Sequence, residues 1–241
     1  MIFRKAVLII HGFAGGVYDE ESLAHYLQSK RNLDVYTFTL PGHEKGVKMK
    51  NEYTEWRKSA EDMMEKIIRY GYKTVYVIGH SMGGVIATYI ANKYKQVKKL
   101  VLAAPAFKYL YVEDKKLNIL TTIKNIPYIL QGYSKDEIIS RFRSISPKAI
   151  QEFRKLVDTY QNEPQKLTKP VLIIWGDQDK IVPNTSALYV YENVKSKVKV
   201  YAKVKGCNHD LYRNQKINEL NKLTYNFLKN KYLFLNKKIE L

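Results

Sequence analysis

The sequence predicts an α/β fold built on a mostly parallel sheet of about six strands. Three observations carry the prediction. Short β-branched runs alternate with helix-period stretches over most of the 241 residues, the pattern of strands joined by crossover helices. Several runs, Ala6–Ile10 and Val171–Trp175 among them, are apolar without alternation, as in strands buried on both faces. The run Thr74–Ile78 leads into Gly79-His80-Ser81-Met82-Gly83, a G-x-S-x-G pentapeptide at a strand-to-helix junction.

Ala6 to Ile10 is the first strand, stopped by the glycine-rich loop His11-Gly12-Phe13-Ala14-Gly15-Gly16. Asp19 to Lys30 has helical spacing, with Leu23, Tyr26 and Leu27 on one face. Asp34 to Leu40 is a second strand, ended by Pro41-Gly42-His43, and residues 54–70 form a long helix started by Thr54 and stopped near Gly71. Thr74–Ile78 is the third strand, Val85–Ala91 the helix after it, and Lys99–Ala103 the fourth strand. The alternation then stops. Residues 107–167 read as short amphipathic helices, at Leu117–Ile123, Ser134–Phe142 and Pro147–Tyr160. It resumes with the strand Val171–Trp175, a helix near Ser186–Val194, the strand Lys197–Val204 and a last helix from Gln215 to Lys229. The expected organisation is one domain over 1–241, with a core of 1–105 and 168–241 and a helical cap inserted after the fourth strand at about 106–167. Ligands in parallel sheets bind beyond the carboxyl ends of the strands, so this cap is expected to cover the binding end.

Composition narrows the function classes. The single cysteine, Cys207, gives neither a disulfide framework nor metal-ligand spacing; no metal or cofactor is expected, and Cys207 reads as a small loop residue. The formal charge of +18 is spread along the chain without an aromatic-interleaved basic stripe. It reads as a lysine-rich solvated surface, with weak association to anionic surfaces and no specific nucleic-acid partner. The apolar run near the N-terminus is too short for a signal peptide's core, and no stretch approaches bilayer-spanning length. The expectation is a cytoplasmic protein, and oligomeric state is not legible.

A G-x-S-x-G turn holds its serine in a strained conformation above the sheet, and small residues on either side let the turn close. Ser81 is therefore the candidate nucleophile. Acyl transfer by serine also needs a base, a carboxylate to orient it, and donors for an oxyanion. Of the five histidines, His25 falls mid-helix on the surface. His11 and His43 sit in loops before the serine, and His80, inside the pentapeptide, is expected to pack its ring beside the strand. His209, in Gly206-Cys207-Asn208-His209-Asp210, alone follows the last of these strands and is the candidate base. For the acid, Gly176-Asp177-Gln178-Asp179 offers two aspartates, either within reach of a histidine at this end, and Asp177 equally suits a turn.

Taken together these motifs resemble the α/β-hydrolase superfamily, and within it the small bacterial carboxylesterases and monoacylglycerol lipases. The likeness spans nearly the whole chain. It rests on H-G-F-x-G from His11, P-G-H from Pro41, G-H-S-M-G-G from Gly79, G-x-x-D-x-x-V-P from Gly176 and the late His209. The chain order Ser, Asp, His is that of this superfamily. The resemblance implies Asp179 as the catalytic acid and the backbone amides of Phe13 and Met82 as the oxyanion hole. It also implies hydrolysis of a small-molecule ester with an apolar acyl chain, monoacylglycerols included, without a cofactor. The alternatives with the same triad are a thioesterase or a carbon–carbon bond hydrolase; a further one is a ligand-binding protein that kept the fold without catalysis. Two departures from family habit are Glu44-Lys45-Gly46 after Pro41-Gly42-His43, and Cys207-Asn208 before His209. The cap is rich in apolar side chains such as Tyr109, Leu110, Ile119 and Leu120, a composition that suits an acyl chain. Phe107, which opens the cap, and Val182, just past Asp179, are the residues expected to line the pocket.

Overall fold

A computed structural model describes residues 4–108, 134–230 and 237–241. The expected helix at Leu117–Ile123, and Tyr109, Leu110, Ile119 and Leu120, lie outside them.

The described chain runs β1 (Lys5–Ile10), a 3₁₀ turn (Val17–Asp19), α1 (Glu21–Gln28), β2 (Leu33–Thr37), α2 (Tyr53–Arg69), β3 (Val75–His80), α3 (Met82–Lys93) and β4 (Val97–Ala103). It continues with α4 (Lys135–Ser144), α5 (Pro147–Tyr160), β5 (Val171–Gly176), α6 (Asn184–Asn193), β6 (Lys199–Val204), α7 (Ile217–Lys229) and β7 (Lys237–Glu240). The strands form one seven-stranded sheet in the order β2-β1-β3-β4-β5-β6-β7, parallel throughout. The expected six strands are all present. The seventh, β7, was not legible because Lys-Lys-Ile-Glu at an exposed edge has neither the apolar run nor the alternation that marks a strand.

Side-chain alternation divides the core between the two faces of the sheet. Leu8 and Ile10 of β1 join a cluster with Trp56, Met64 and Ile67 of α2, Val85 and Ile86 of α3 and Leu156 of α5. Val7 and Ile9 point the other way, to Leu23 and Leu27 of α1 and Leu220 and Phe227 of α7. Trp56, Leu8, Ile10, Met64 and Ile67 are fully buried, and each large side chain so buried stabilises the fold by about 1.5–3 kcal/mol. One buried charge serves as a helix cap. Lys99 Nζ donates to the carbonyls of Phe227 (2.6 Å), Leu228 (3.1 Å) and Asn230 (2.5 Å) at the end of α7, the place where a cation meets the negative end of the helix dipole. Burial pushes this ammonium down to about 8.

The long helix α2 starts at Tyr53, so its cap lies two residues before Thr54, the expected one. The cap position is Glu52, whose amide donates to Glu55 Oε2 at 2.8 Å, so the acid in the first turn closes the helix start. Its end is as read: Gly71 has φ 88° and its amide donates to Ile68 O at 2.9 Å. In the region between β4 and β5, α4 and α5 coincide with two of the three expected helices.

The strand order sets where a site can form. From β1 the chain places β2 on one side of it, through α1, and β3 on the other, through α2. The loops leaving β1 and β3 therefore diverge, opening a crevice at the carboxyl ends of these neighbours.

Candidate active site

The turn after β3 stands in that crevice. Ser81 has φ 53° and ψ −119°, outside the regions an L-residue ordinarily occupies. Three backbone hydrogen bonds hold it: Ser81 N donates to Ala103 O (2.9 Å), and Ser81 O accepts from Gly84 N (2.9 Å) and Ala106 N (3.1 Å). The flanking glycines are required by close approach. A Cβ on Gly79 would sit 2.6 Å from Ala87 Cβ, and one on Gly83 would overlap the carbonyl of Ile10. Strain of this kind persists only where the surroundings over-determine it, and it concentrates at functional sites.

Met82 follows Ser81 in the chain, and the loop that carries Phe13 approaches it. Met82 is the first residue of α3, where helix amides lack intrahelical acceptors. Phe13 follows Gly12, whose Cα faces the serine so closely that an added Cβ would lie 3.0 Å from Ser81 Cβ. The Phe13 ring is anchored by stacking on Phe153 of α5, with centroids 5.2 Å apart and planes 15° apart. It also meets His43 and Trp56 edge-on, at 6.0 and 6.1 Å.

The two aspartates after β5 part company. Asp177 Oδ1 accepts from Gly206 N at 2.7 Å, the turn role that was its alternative. Asp179 is buried and its Oδ2 lies 2.7 Å from His209 Nδ1. The other oxygen, Oδ1, accepts from the amides of Ile181 (2.8 Å) and Val182 (2.9 Å), which fixes the carboxylate's direction. Trp175 Nε1 donates to Val182 O at 2.9 Å and braces this loop on β5. A carboxylate only accepts, so His209 Nδ1 is the donor in this contact. Phe107 and Val182 are both buried; Phe107 packs in the α3 and α6 side of the core, 6.5 Å from the Tyr189 ring.

The remaining histidines have structural partners. His11 Nε2 accepts from Leu40 N at 3.0 Å and Nδ1 donates to Gly12 O at 2.8 Å; burial holds it down at about 4. His43 Nδ1 donates to Pro41 O at 3.2 Å, and burial, reinforced by His11, holds it at about 3. His25 is exposed on α1. His80 was expected to pack beside the strand and is indeed buried, but its ring also makes polar contacts that local sequence does not reveal. Nδ1 lies 2.8 Å from Glu20 Oε1 and Nε2 lies 3.0 Å from His209 O. Glu20 is sixty residues away in the chain, so no local pattern signals it. Cys207 is buried, and burial pushes its thiol up to about 11, far from the reactive range.

The cap helices are tied to this end of the sheet. Asp19 accepts through Oδ1 from Arg141 of α4 and, at 3.3 Å, from Arg213 beyond β6, and through Oδ2 from Gly16 N at 3.1 Å. Arg213 reaches Glu137 of α4 at 3.1 Å as well. The loop that carries Phe13, the loop that carries His209 and a cap helix thus meet in one charge network. Among the described residues no three His, Cys, Asp or Glu side chains cluster to hold a metal, and no helix is long and apolar enough to cross a membrane.

Residues 5–133 match the family model for the alpha/beta hydrolase fold, more than half of the chain. The chain belongs to the α/β-hydrolase family. A second model, described as serine aminopeptidase S33, matches residues 122–216. Among curated relatives, a putative esterase/lipase of Mycoplasma pneumoniae is 26% identical over 223 residues, covering 86% of this chain and 82% of its own. A monoacylglycerol lipase of Mycolicibacterium smegmatis is 24% identical over 241 aligned positions, covering 87% and 82%. Among solved structures, a monoacylglycerol lipase of Paleococcus ferrophilus superposes with a TM-score of 0.69 at 18% identity, covering 92% of this chain and 93% of its own. In this fold generally, the strand-to-helix turn is where a nucleophile is presented.

Proposed function

We propose that this α/β hydrolase is a serine esterase that cleaves carboxylic esters with an apolar acyl chain, monoacylglycerols among them, using Ser81, His209 and Asp179. The observation that carries the proposal is the conjunction of a serine held at φ 53° with a histidine oriented by a buried aspartate at 2.7 Å. The curated relatives named above, an esterase/lipase and a monoacylglycerol lipase, support ester bonds as the substrate class.

In the proposed reaction His209 Nε2 takes the Ser81 proton as the hydroxyl oxygen attacks the ester carbonyl, and Asp179 stabilises the imidazolium that forms. The amides of Phe13 and Met82 receive the oxyanion; losing one such donor typically costs about 10²–10³-fold in rate. His209 then protonates the departing alcohol, and water cleaves the acyl-enzyme by the same steps in reverse. Residues 1–241 act as one domain in this reading, with the segment of about 106–167 as a cap that shapes the acyl pocket beside Phe107 and Val182. Hydrolysis of a chromogenic ester series from acetyl to long-chain acyl, with Ser81→Ala in parallel, tests the reading. Cleavage by the native chain and none by the variant is expected; a Ser81→Ala variant as active as the native chain overturns it.

A further inference from the structure

We propose that Glu20 and His80 form a positioning pair that ties the backbone of the base, His209, to the strand carrying the nucleophile. This rests on the triad reading above. The need for such a tie follows from the sheet. His209 lies after β6, and β4 and β5 stand between β6 and β3 in the strand order, so strand pairing does not itself set the height of His209 over Ser81. Asp179 orients the His209 ring through Nδ1, a contact with the side chain and not with the main chain.

His80 closes that gap. It is the last residue of β3, directly before Ser81. Its Nε2 meets His209 O at 3.0 Å, and the two rings lie 4.9 Å apart, tilted by 38°. Leu211 N also donates to the same carbonyl at 3.0 Å, so the carbonyl is held from two directions. A carbonyl only accepts, so Nε2 must carry a proton. Glu20, buried at the start of α1, faces Nδ1 at 2.8 Å. With acceptors at both nitrogens, one proton stays on Nε2 and a second lies between Nδ1 and Oε1. A neutral ring has one proton, so it keeps Nε2–H on the His209 carbonyl with Nδ1 satisfied only where residue 20 donates to Nδ1.

The surrounding charges favour the doubly protonated ring. Burial works against it, but the Glu20 hydrogen bond and charge, with Asp210 and Asp19, outweigh burial and raise His80 to about 9. Burial pushes the Glu20 carboxyl up, and the His80 contact opposes that. The His209 ring lies beside this one, and His11, a further titratable group that feels its charge, is held down at about 4 by burial.

The test compares the native chain with Glu20→Gln, which keeps the shape and removes the charge, with His80→Leu, and with a Glu20→Gln/His80→Gln double variant. The double variant replaces the ion pair by neutral amides, so it leaves no buried charge unpaired and serves as the second measurement should His80→Leu not fold. Four quantities are read: kcat and KM on a chromogenic ester, the rate at which a fluorophosphonate labels Ser81, and the melting temperature. His80→Leu, which removes the donor to the His209 carbonyl, is expected to lower kcat and the labelling rate together by about 10–100-fold, the scale of a misplacement near 1 Å, with KM unchanged within about twofold. Glu20→Gln, whose amide can donate to Nδ1, is expected to lose less than His80→Leu. ¹⁵N NMR of the native chain at neutral pH is expected to show both His80 nitrogens protonated. The inference is overturned if kcat and labelling of His80→Leu and of the double variant stay within about twofold of native. It is equally overturned if their losses vanish when each protein is assayed at the same interval below its own melting point, or if His80 Nε2 is bare. A native chain that labels at Ser81 while the variants match it removes only the positioning role. A native chain that never labels removes the triad reading and this inference with it.

Discussion

Ser81 and His209 depend on groups that hold them as much as on their own chemistry. Asp179 spends one oxygen on His209 and the other on two amides of its own loop, whereas Asp177 spends its oxygen on Gly206 N. Replacing Asp179 by Asn is expected to reduce kcat by about 10⁴-fold, because an amide in that place stabilises the wrong histidine tautomer. Replacing Asp177 by Asn should leave kcat near native and cost at most about 1–3 kcal/mol of stability through the lost turn bond. Steady-state kinetics on the two variants check this, and an inverted result would assign the acid to Asp177. The elbow was legible in the sequence because a strand, a serine and spaced glycines are all local. The choice of aspartate was not settled by spacing, since it turns on which carboxylate the loop aims inward, and the Glu20–His80 contact joins residues far apart in the chain.

At the scale of elements, α4 is held over the sheet by the network around Asp19. Arg141 and Arg213 both reach the same carboxylate, which also accepts from Gly16 in the loop carrying Phe13. Ser134 and Glu137 start α4 reciprocally: Ser134 N donates to Glu137 Oε2 at 2.9 Å, and Glu137 N to Ser134 Oγ at 3.3 Å. Glu137 is thus tied both to its helix start and to Arg213. The Arg141–Asp19 pair is largely buried, with side chains 19% and 4% exposed, so it is expected to couple where a surface pair would not. A double-mutant cycle of Arg141→Ala and Asp19→Ala, read by denaturant unfolding, should give a coupling of about 0.5–3 kcal/mol. Additivity within about 0.3 kcal/mol would show that the contact does not hold the cap helix. The amphipathic period made α4 and α5 legible as helices; the ion pairs that dock α4 were not, because their partners lie in loops at opposite ends of the chain.

For the whole molecule, the apolar runs and their spacing were enough to reveal six strands, their helices and the interruption before β5. The seventh strand escaped because a short lysine-rich edge strand buries little. Buried histidines give the folded chain a distinct response to pH. His11 and His43 are held at about 4 and about 3 against an ordinary value of 6.5, so the unfolded chain takes up protons that the folded one refuses. Stability is therefore expected to be lost progressively as pH falls from about 6.5 through 4 toward 3. His80 acts with the opposite sign. Held at about 9, it contributes fully below about 6.5, and its contribution is lost as pH rises toward 9. Melting temperatures across pH should peak near neutrality, and a profile flat from pH 7 to 4 would contradict the burial of His11 and His43. The most direct measurement of the central claim is the mass of the intact protein, with a peptide map, after brief reaction with a slowly deacylating chromogenic ester. The expected result is one acyl group per chain, on the peptide containing Ser81, formed with a stoichiometric burst of chromophore. Turnover of the ester with no adduct at Ser81, or with the acyl group on Cys207 instead, would contradict it.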